Sequence, residues 1–412
     1  IKAMDIPQSE NNEFPPLSFR DFSTAFAHLS DNELRFSYWI FRMMNNVWFT
    51  TVLIKLAELA LKSNLPIRWA VKPTVFRVFC GGETIFESLQ AVEKLGVNQI
   101  GAILDYSVEG QDKEIEFGKT ETEIVRIIQL ARENKNIPVS CIKVSGIVSN
   151  SLLEKLSSKK HLNESEKREA ANWQLRFERI CQAAFDNDVP LYVDAEESWV
   201  QDAIDELVET MMARYNKERA IIFQTIQMFR HDRLEYYRKL IERGRLEGFK
   251  IGMKIVRGAY LDKENRRAKE MGYPTPINPT KQATDDDYNA ALALSVDNID
   301  WVEICAGTHN EESSMLLTEL MAQKGLQNNH PHIYFSQLYG MSDYMSFNLA
   351  ASGYNVSKYL PYGPVKATLP YLMRRAKENS AISGQMGKEY TMIVNERKRR
   401  RQESFEVEEI KS

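Results

Sequence analysis

Short apolar runs alternate with longer amphipathic segments from about residue 97 onward. Eight of these runs are rich in β-branched and aromatic residues, and helical patterns separate them. The runs are Ile100–Tyr106, Val139–Ser145, Pro190–Ala195, Ala220–Ile226, Lys250–Val256, Val302–Ala306, Ile333–Leu338 and Asn355–Tyr359. Eight strand–helix units without a strand-only section predict parallel pairing through helical crossovers. The count favours a closed (β/α)8 TIM-like barrel over an open doubly wound sheet.

The barrel is expected to occupy residues 97–385 as the catalytic domain. A mainly helical N-terminal arm, residues 1–96, precedes it, and a charged C-terminal tail, residues 386–412, follows it. The arm contains the longest apolar stretch, Trp48–Leu61, which is too short to cross a bilayer and is interpreted as a packed helix. The tail contains the basic run Arg397–Arg401. Its simplest interpretation is a solvated helix end, with anionic-membrane contact as the alternative.

Composition narrows the class of function. The chain has 412 residues, 43% of them hydrophobic and 27% charged, with a net charge of -4. That charge offers no broad attraction to nucleic acid, so a small-molecule partner is expected and a nucleic-acid partner is not. The four cysteines are scattered without a CxxC spacing, which argues against a zinc site. No GxGxxG follows any predicted strand, which argues against a Rossmann domain.

A helical segment near residue 375 carries an unusual polar stripe. Tyr371, Arg374, Arg375 and Glu378 are spaced i, i+3, i+4 and i+7, so they share one helical face. Two guanidiniums suit a small carboxylate ligand, which they can bind bidentately, while the carboxylate braces them and the aromatic ring walls an apolar ligand body. An exposed, salt-bridged helix face remains an equal alternative from this stripe alone.

Polar residues also follow most of the predicted strands. In a (β/α)8 barrel these strand ends meet at one mouth, where active sites lie. Taken singly, each has a structural explanation, such as an ion pair, a cap or a satisfied core amide. Together they indicate an active site, because several charged side chains at a barrel rim need partners or a ligand. The strand-end residues that carry this argument are Lys143, Asp194, Gln224, Lys254, Arg257 and His309.

The same set does not suggest metal or acyl-transfer chemistry. No clustered His and carboxylate set and no Ser-His-Asp arrangement is evident, and Asp285–Asp287 is interpreted as a solvated loop or helix start. No metal site is therefore expected. Gly258 would let the backbone approach a ligand closely, and Arg257 and Lys281 could neutralise a pyrophosphate. These features indicate an organic cofactor that bears phosphates.

At these residues the chain resembles the proline dehydrogenase family, and more closely its monofunctional, eukaryotic-like branch. The resemblance covers roughly residues 97–385 and rests on four ordered motifs: Tyr192–Glu197, Val256–Tyr260, Gly307–Asn310 and Tyr371–Arg375. It implies a barrel that binds FAD non-covalently and oxidises L-proline to Δ1-pyrroline-5-carboxylate, with electrons passed to a quinone. It also implies a bacterial cytoplasmic or inner-membrane-peripheral location, or alternatively the mitochondrial matrix, with peripheral membrane contact as an option.

The resemblance also assigns roles to residues. The catalytic residues would be Asp194, Lys254 and Lys143. The substrate would be bound by Lys143, Leu338, Tyr359, Tyr371, Arg374, Arg375 and Glu378. FAD would contact Ala195, Gln224, Val256, Arg257, Gly258, Tyr260, Thr280, Lys281, His309 and Asn310. Lys254 departs from the arginine that many bacterial members carry, so its exact role within the site stays open.

Three alternatives remain at this point. Hydroxyproline dehydrogenase is a sister activity on the same fold, and Tyr359 argues against it because the family pattern for that activity has a smaller residue there. A Schiff-base aldolase using Lys143 belongs to another enzyme class and would be colourless. A non-catalytic binding scaffold is the third, and the intact arginine pair argues against it.

Overall fold

Eight parallel strands form the centre of the protein, in a computed structural model that describes residues 14–63, 65–107, 113–381 and 385–411. Each strand falls on one of the eight predicted runs, so the (β/α)8 fold class is confirmed. The strands are β1 (Ile100–Tyr106), β2 (Ser140–Lys143), β3 (Leu191–Asp194), β4 (Ile222–Gln227), β5 (Ile251–Val256), β6 (Val302–Gly307), β7 (Ile333–Leu338) and β8 (Val356–Tyr362).

The strands pair in the order β1-β8-β7-β6-β5-β4-β3-β2. The two ends of this order lie side by side, where Sγ of Cys141 donates to the Leu104 carbonyl over 3.5 Å. Just before β2, the Asn136 carbonyl accepts a hydrogen bond from the Ala102 N–H over 2.7 Å. Parallel pairing brings the carboxyl ends of all eight strands to one rim, which is where such barrels place their active sites.

Helices surround the strands and form the arm and the tail. In the described part of the chain each strand is followed by one or two α-helices. The helices are α1 (Phe22–Phe26), α2 (Asp31–Met44), α3 (Val47–Lys62), α4 (Arg68–Val71), α5 (Arg77–Phe79), α6 (Ile85–Val97), α7 (Glu114–Glu133), α8 (Asn150–Ser157), α9 (Glu164–Asp186), α10 (Ser198–Tyr215), α11 (Arg233–Glu247), α12 (Leu261–Met271), α13 (Lys281–Asp297), α14 (Glu311–Gln323), α15 (Asp343–Ala351), α16 (Val365–Ala381) and α17 (Gln385–Lys411).

Side chains alternate between the barrel interior and the surrounding helices along each strand. The interior core consists of Ile103, Val139, Cys141, Tyr192, Ala220, Phe223, Cys305 and Tyr359. On β4 the inward series therefore continues from Phe223 to Thr225 and Gln227, while Gln224 faces the helices. This register decides which polar residues reach the mouth of the barrel.

The C-terminal tail forms helix α17, which is hydrogen-bonded to the N-terminal arm. Arg400 donates to the carbonyls of Phe26 at 2.8 Å and Leu29 at 2.9 Å, and it pairs with Asp31 at 2.7 Å. The guanidinium of Arg397 lies 4.2 Å from the ring centroid of Tyr38. The basic run is thus partly engaged within the protein, which differs from the solvated helix end expected from the sequence.

Helix α3 packs against the protein with only one face. Thr50 and Ile54 are buried, whereas Trp48, Leu56 and Leu59 are 74%, 55% and 57% exposed. The expectation of a packed helix therefore holds for one face and fails for the other. None of the helices in the described ranges is long and apolar enough to span a bilayer.

Candidate active site

A cavity of about 550 Å³ opens at the carboxyl ends of the strands, within the size range of sites for organic ligands. Among the described residues that line it, seven are lysine or arginine and four are aspartate or glutamate. The lining is therefore cationic, which favours an anionic ligand. The predicted site residues that line it are Lys143, Asp194, Ala195, Lys254, Val256, Arg257, Gly258, Tyr260, Lys281, His309, Asn310, Leu338, Tyr359, Tyr371, Arg374 and Arg375.

Asp194, the last residue of β3, is the centre of a charged network at the floor of this cavity. Its Oδ1 is ion-paired with Nζ of Lys254 on β5 and accepts a hydrogen bond from the Tyr359 hydroxyl at 3.0 Å. Its Oδ2 lies 3.3 Å from Nζ of Lys143 on β2. Burial opposes ionisation of this carboxyl, but the charges of Lys254 and Lys143 outweigh it and hold the pKa of Asp194 below its usual value.

Asp105 of β1 extends the network on its other side. Its Oδ2 lies 3.3 Å from Nζ of Lys143, so this lysine bridges two carboxylates. Negative and positive groups thus alternate from Asp105 through Lys143 and Asp194 to Lys254, which lets each buried charge find an opposite partner. The sequence interpretation missed Asp105. The available signal was an acid inside the otherwise apolar run Ile100–Tyr106, one residue from its end.

Helix α16 presents three residues of the predicted polar stripe, Tyr371, Arg374 and Arg375, to the cavity. Arg374 and Arg375 both line it, and the guanidinium carbon of Arg375 lies 5.4 Å from the ring centroid of Tyr371. Tyr371 is 7% exposed, and its hydroxyl has no hydrogen-bond partner within the described residues. Burial raises the pKa of this phenol, so it is a neutral donor beside the cavity. The side chain of Glu378 lies outside the described residues.

Arg257 follows β5, and three side chains accept hydrogen bonds from it. Its guanidinium donates to Asp285 at 2.6 Å, Thr308 at 2.7 Å and Ser313 at 2.9 Å. Asp285 also accepts from Lys281 at 2.5 Å, so it fixes two cations on the same side of the cavity. Asp285 lies in the first turns of α13, as the helix-start interpretation expects, but its carboxylate is ion-paired rather than simply solvated. No group of three His, Cys, Asp or Glu arranged for a metal ion occurs in the part of the chain that the structure describes.

Gly258 stands where the chain needs both space and an unusual backbone conformation. Its φ is +135°, and a Cβ there would lie 2.5 Å from Cγ of Phe229. An L-residue would therefore be strained and would clash. The neighbouring Val256 and Tyr260 line the cavity as predicted, and the Ala259 N–H donates to Oε1 of Gln227 at 3.2 Å.

His309 and Asn310 lie after β6, at the side of the cavity next to α15. Nδ1 of His309 lies 2.9 Å from Oγ of Ser342. Burial, reinforced by the charges of Lys358 and Arg375, lowers the pKa of His309 to about 3, so the ring is neutral at physiological pH. Asn310 caps α14 by accepting from the Ser313 N–H at 2.8 Å.

The structure does not bring Gln224 or Thr280 into the cavity lining. The Gln224 amide donates to Asp205 at 2.6 Å and to the Tyr236 hydroxyl at 2.7 Å, in the layer between β4 and the helices. Thr280 is exposed and caps α13 through the Ala283 N–H at 3.1 Å. Gln227, three residues after Gln224, has the inward orientation and lines the cavity instead.

Comparisons with known proteins agree with this architecture. The family model described as "Proline dehydrogenase" matches residues 88–388. "Proline dehydrogenase 1, mitochondrial" of Dictyostelium discoideum is 32% identical over 440 residues, covering 96% of this chain and 76% of the relative. "Hydroxyproline dehydrogenase" of Xenopus laevis is 30% identical over 367 residues, covering 81% and 79%.

Among solved structures, proline utilization A (PutA) from Bdellovibrio bacteriovorus superposes with a TM-score of 0.74 at 17% identity. The match covers 88% of this chain and 40% of that protein, so this chain spans about two fifths of its length. At this level of identity the likeness concerns the fold of the barrel. It agrees with the eight parallel strands described above.

Proposed function

The chain belongs to the proline dehydrogenase family, and on that premise we propose that it oxidises L-proline to Δ1-pyrroline-5-carboxylate with non-covalently bound FAD. The observation that carries the proposal is the cationic cavity, which is lined by both the Arg374–Arg375 pair and the Lys143–Asp194–Lys254 network. The pair suits the carboxylate of an amino acid, and the remaining length of the cavity suits a larger anionic cofactor.

The residues present fit FAD. Three buried hydroxyl groups of the cavity lining, Thr225 Oγ1, Ser336 Oγ and Tyr371 OH, have no hydrogen-bond partner within the described residues, so they can bond to a ligand. Arg257 and Lys281 form a cationic side suited to the pyrophosphate, and Gly258 keeps the adjacent wall free of a side chain. FAD, when bound, supplies the two-electron acceptor that none of these side chains provides.

The protein's own contribution to the reaction is positioning. Arg374 and Arg375 would grip the substrate carboxylate through paired charge-assisted hydrogen bonds, while Tyr359, Tyr371 and Leu338 would enclose the apolar ring. Lys254 is ion-paired with Asp194 at the cavity floor, where its ammonium can stabilise negative charge that develops during oxidation.

A second candidate, hydroxyproline oxidation, is favoured by the Xenopus relative. The environment of Tyr359 disfavours it. The Tyr359 hydroxyl accepts a hydrogen bond from Lys254 at 2.6 Å and donates one to Asp194 at 3.0 Å. These two bonds fix the orientation of the side chain. A ring hydroxyl on the substrate would meet this fixed aromatic wall, at a steric and desolvation cost. Proline is therefore the preferred substrate.

The electron acceptor and the compartment are further proposals. A quinone is the acceptor that the family resemblance implies, and the mitochondrial Dictyostelium relative favours the mitochondrial matrix over a bacterial location. Contact with an anionic membrane would involve the arm. Its exposed apolar face includes Trp48, Leu56 and Leu59 on α3, and Trp69 beyond it is 79% exposed.

Charge supports this membrane surface. Between Arg35 and Arg77 the sequence has seven basic residues and one acidic residue, Glu58, although the whole chain has a net charge of -4. An apolar face with basic neighbours suits a helix lying in the plane of an anionic bilayer. Flotation with phosphatidylglycerol vesicles tests it. The triple change Trp48→Ser, Leu56→Ser and Leu59→Ser should abolish binding, while Leu246→Ser, at an 88% exposed position on α11, should not.

The cofactor experiment is the direct test of the proposed function. Purified protein, or protein incubated with FAD and then desalted, should show flavin absorption bands, and denaturation should release FAD rather than FMN. Arg257→Met should weaken FAD retention because it removes the cation held by Asp285 and Thr308. Wild-type protein that stays colourless after incubation with FAD would contradict the proposal.

A further inference from the structure

Helix α15 begins at the cavity with an unusual N-terminus. Ser342 occupies the position before its first residue, where a serine hydroxyl normally accepts a hydrogen bond from the helix backbone. Here the hydroxyl makes no such bond and lies 2.9 Å from Nδ1 of His309. The Ser342 backbone has φ +50° and ψ 42°, a left-handed conformation that serine rarely adopts.

The missing cap is supplied from another helix. Glu389 of α17 is buried, and its two carboxyl oxygens accept from the N–H groups of Ser342 at 2.9 Å and Asp343 at 3.4 Å. These are N-terminal amides that α15 itself cannot satisfy.

Other charged groups surround this contact. Asp343 is paired with Lys358 of β8 at 2.5 Å, and its other oxygen lies 4.0 Å from Nε2 of His28 in the arm. Burial, with the nearby Asp343 charge, raises the pKa of Glu389 to about 8. Burial therefore favours the neutral carboxyl near pH 7, and its carbonyl oxygen still accepts from the backbone at the start of α15.

The same end of α17 also reaches the cavity directly. Lys388 lines the cavity and pairs with Glu311 of α14 at 3.0 Å. The match to the family ends at this residue, so Glu389 lies one position beyond it. Of these two consecutive residues of α17, Lys388 lines the cavity and Glu389 contacts the start of α15 beside it.

We propose that Glu389 is a positioning residue for His309. Glu389 holds the backbone of Ser342 in its left-handed conformation, and the Ser342 hydroxyl then fixes the orientation of the His309 ring at the cofactor cavity. The effect on the cofactor rests on the proposed function, since it requires FAD to lie against His309. The effect of Glu389 on Ser342 and His309 does not require FAD.

The first measurement follows the imidazole itself and needs no flavin. Protein labelled with ¹⁵N-histidine gives ring resonances, and His309→Gln identifies those of His309. Glu389→Ala should shift them as Ser342→Ala does, and the double variant should shift them no further. Glu389→Gln, which keeps one carbonyl acceptor, should restore part of the wild-type signal.

Glu396→Gln is the matched control, because Glu396 is a buried carboxylate on the same helix that binds Arg399 and Arg400 instead. It should leave the His309 resonances unchanged. Unchanged resonances in Glu389→Ala, or equal shifts in Glu396→Gln, would overturn the proposal and leave Glu389 as a general anchor of α17.

The second measurement concerns FAD. Glu389→Ala and Ser342→Ala should each raise the FAD dissociation constant by about 10-fold, the scale of one lost hydrogen bond, without a matching loss in Glu396→Gln. If wild type binds no FAD, the proposed function fails while the resonances still decide the role of Glu389. If FAD binds and both variants retain wild-type affinity, the positioning of the cofactor is contradicted.

Discussion

The Tyr359 hydroxyl lies 2.6 Å from Nζ of Lys254, and this ammonium lies 4.3 Å from the centroid of the same aromatic ring. One cation therefore contacts both the oxygen and the ring of a single tyrosine. Burial and the adjacent Asp194 raise the pKa of Tyr359 far above its usual value, so the phenol stays neutral. The wall of the cavity next to the predicted substrate position is thus both aromatic and fixed.

Replacement of this wall should change substrate selectivity. Tyr359→Ser should lower kcat/KM for proline through lost packing and shift the kcat/KM ratio toward trans-4-hydroxyproline by about 10-fold or more. Tyr359→Phe is the comparison, because it keeps the ring and removes only the hydroxyl bonded to Lys254 and Asp194. It should shift the ratio less than Tyr359→Ser, since the aromatic ring remains. A Tyr359→Ser ratio equal to that of wild type would remove Tyr359 from the substrate pocket.

The arginine pair should govern substrate affinity. Arg374→Met or Arg375→Met should raise the KM for proline strongly, since loss of a charge-assisted hydrogen bond in a dry site costs on the order of 2 kcal/mol. FAD content should change less. Arg219→Met, which breaks a surface pair with Asp188, serves as the control and should have normal kinetics. Near-normal KM values in both cavity variants would show that the pair does not bind the substrate carboxylate, which leaves the alternative of a salt-bridged helix face.

Two glutamines on β4 should separate cofactor binding from stability. Gln227→Leu should weaken FAD binding, because Gln227 lines the cavity and orders the Ala259 backbone. Gln224→Leu should instead lower the melting temperature, because it removes one buried hydrogen bond each from Asp205 and the Tyr236 hydroxyl and puts an apolar side chain against them. FAD titration and thermal unfolding measure the two effects. A larger loss of FAD affinity in Gln224→Leu would reverse our assignment.

His309 should make stability depend on pH. Its pKa is near 6.5 in the unfolded chain and about 3 in the folded protein, so below pH 6.5 only the unfolded chain takes up this proton. Stability therefore falls as the pH decreases from about 6.5 toward 3. His309→Gln should flatten this dependence, as measured by urea unfolding between pH 7 and 5. Parallel profiles for the two proteins would show that His309 is not the group responsible.

The sequence predicts the barrel well because eight β-rich runs at regular intervals leave few alternatives. It also predicts most of the cavity lining, since strand ends meet at one rim. The error at Gln224 has a simple cause. With a side-chain period of two, a shift of one residue moves a side chain to the other face of the strand. Fixing the register needs the packing of Phe223 inside the barrel, which is a tertiary contact.

Other features depend on contacts distant in sequence. Asp105 joins the charged network only because β1 lies beside β2 and faces Lys143. Glu389 acts on Ser342, 47 positions earlier, through the docking of α17. The position of Arg400 in the basic tail likewise depends on Asp31 and on the carbonyls of Phe26 and Leu29. None of these pairs has a local sequence signal.

Anaerobic reduction of the FAD-loaded protein, followed by visible absorption, tests the oxidation of proline most directly. L-Proline should bleach the flavin bands completely, and Δ1-pyrroline-5-carboxylate should appear in a one-to-one ratio with reduced flavin. An equal concentration of trans-4-hydroxyproline should act far more slowly. Flavin bands that persist with L-proline would contradict proline oxidation, and bands that bleach faster with trans-4-hydroxyproline would contradict the preference for proline.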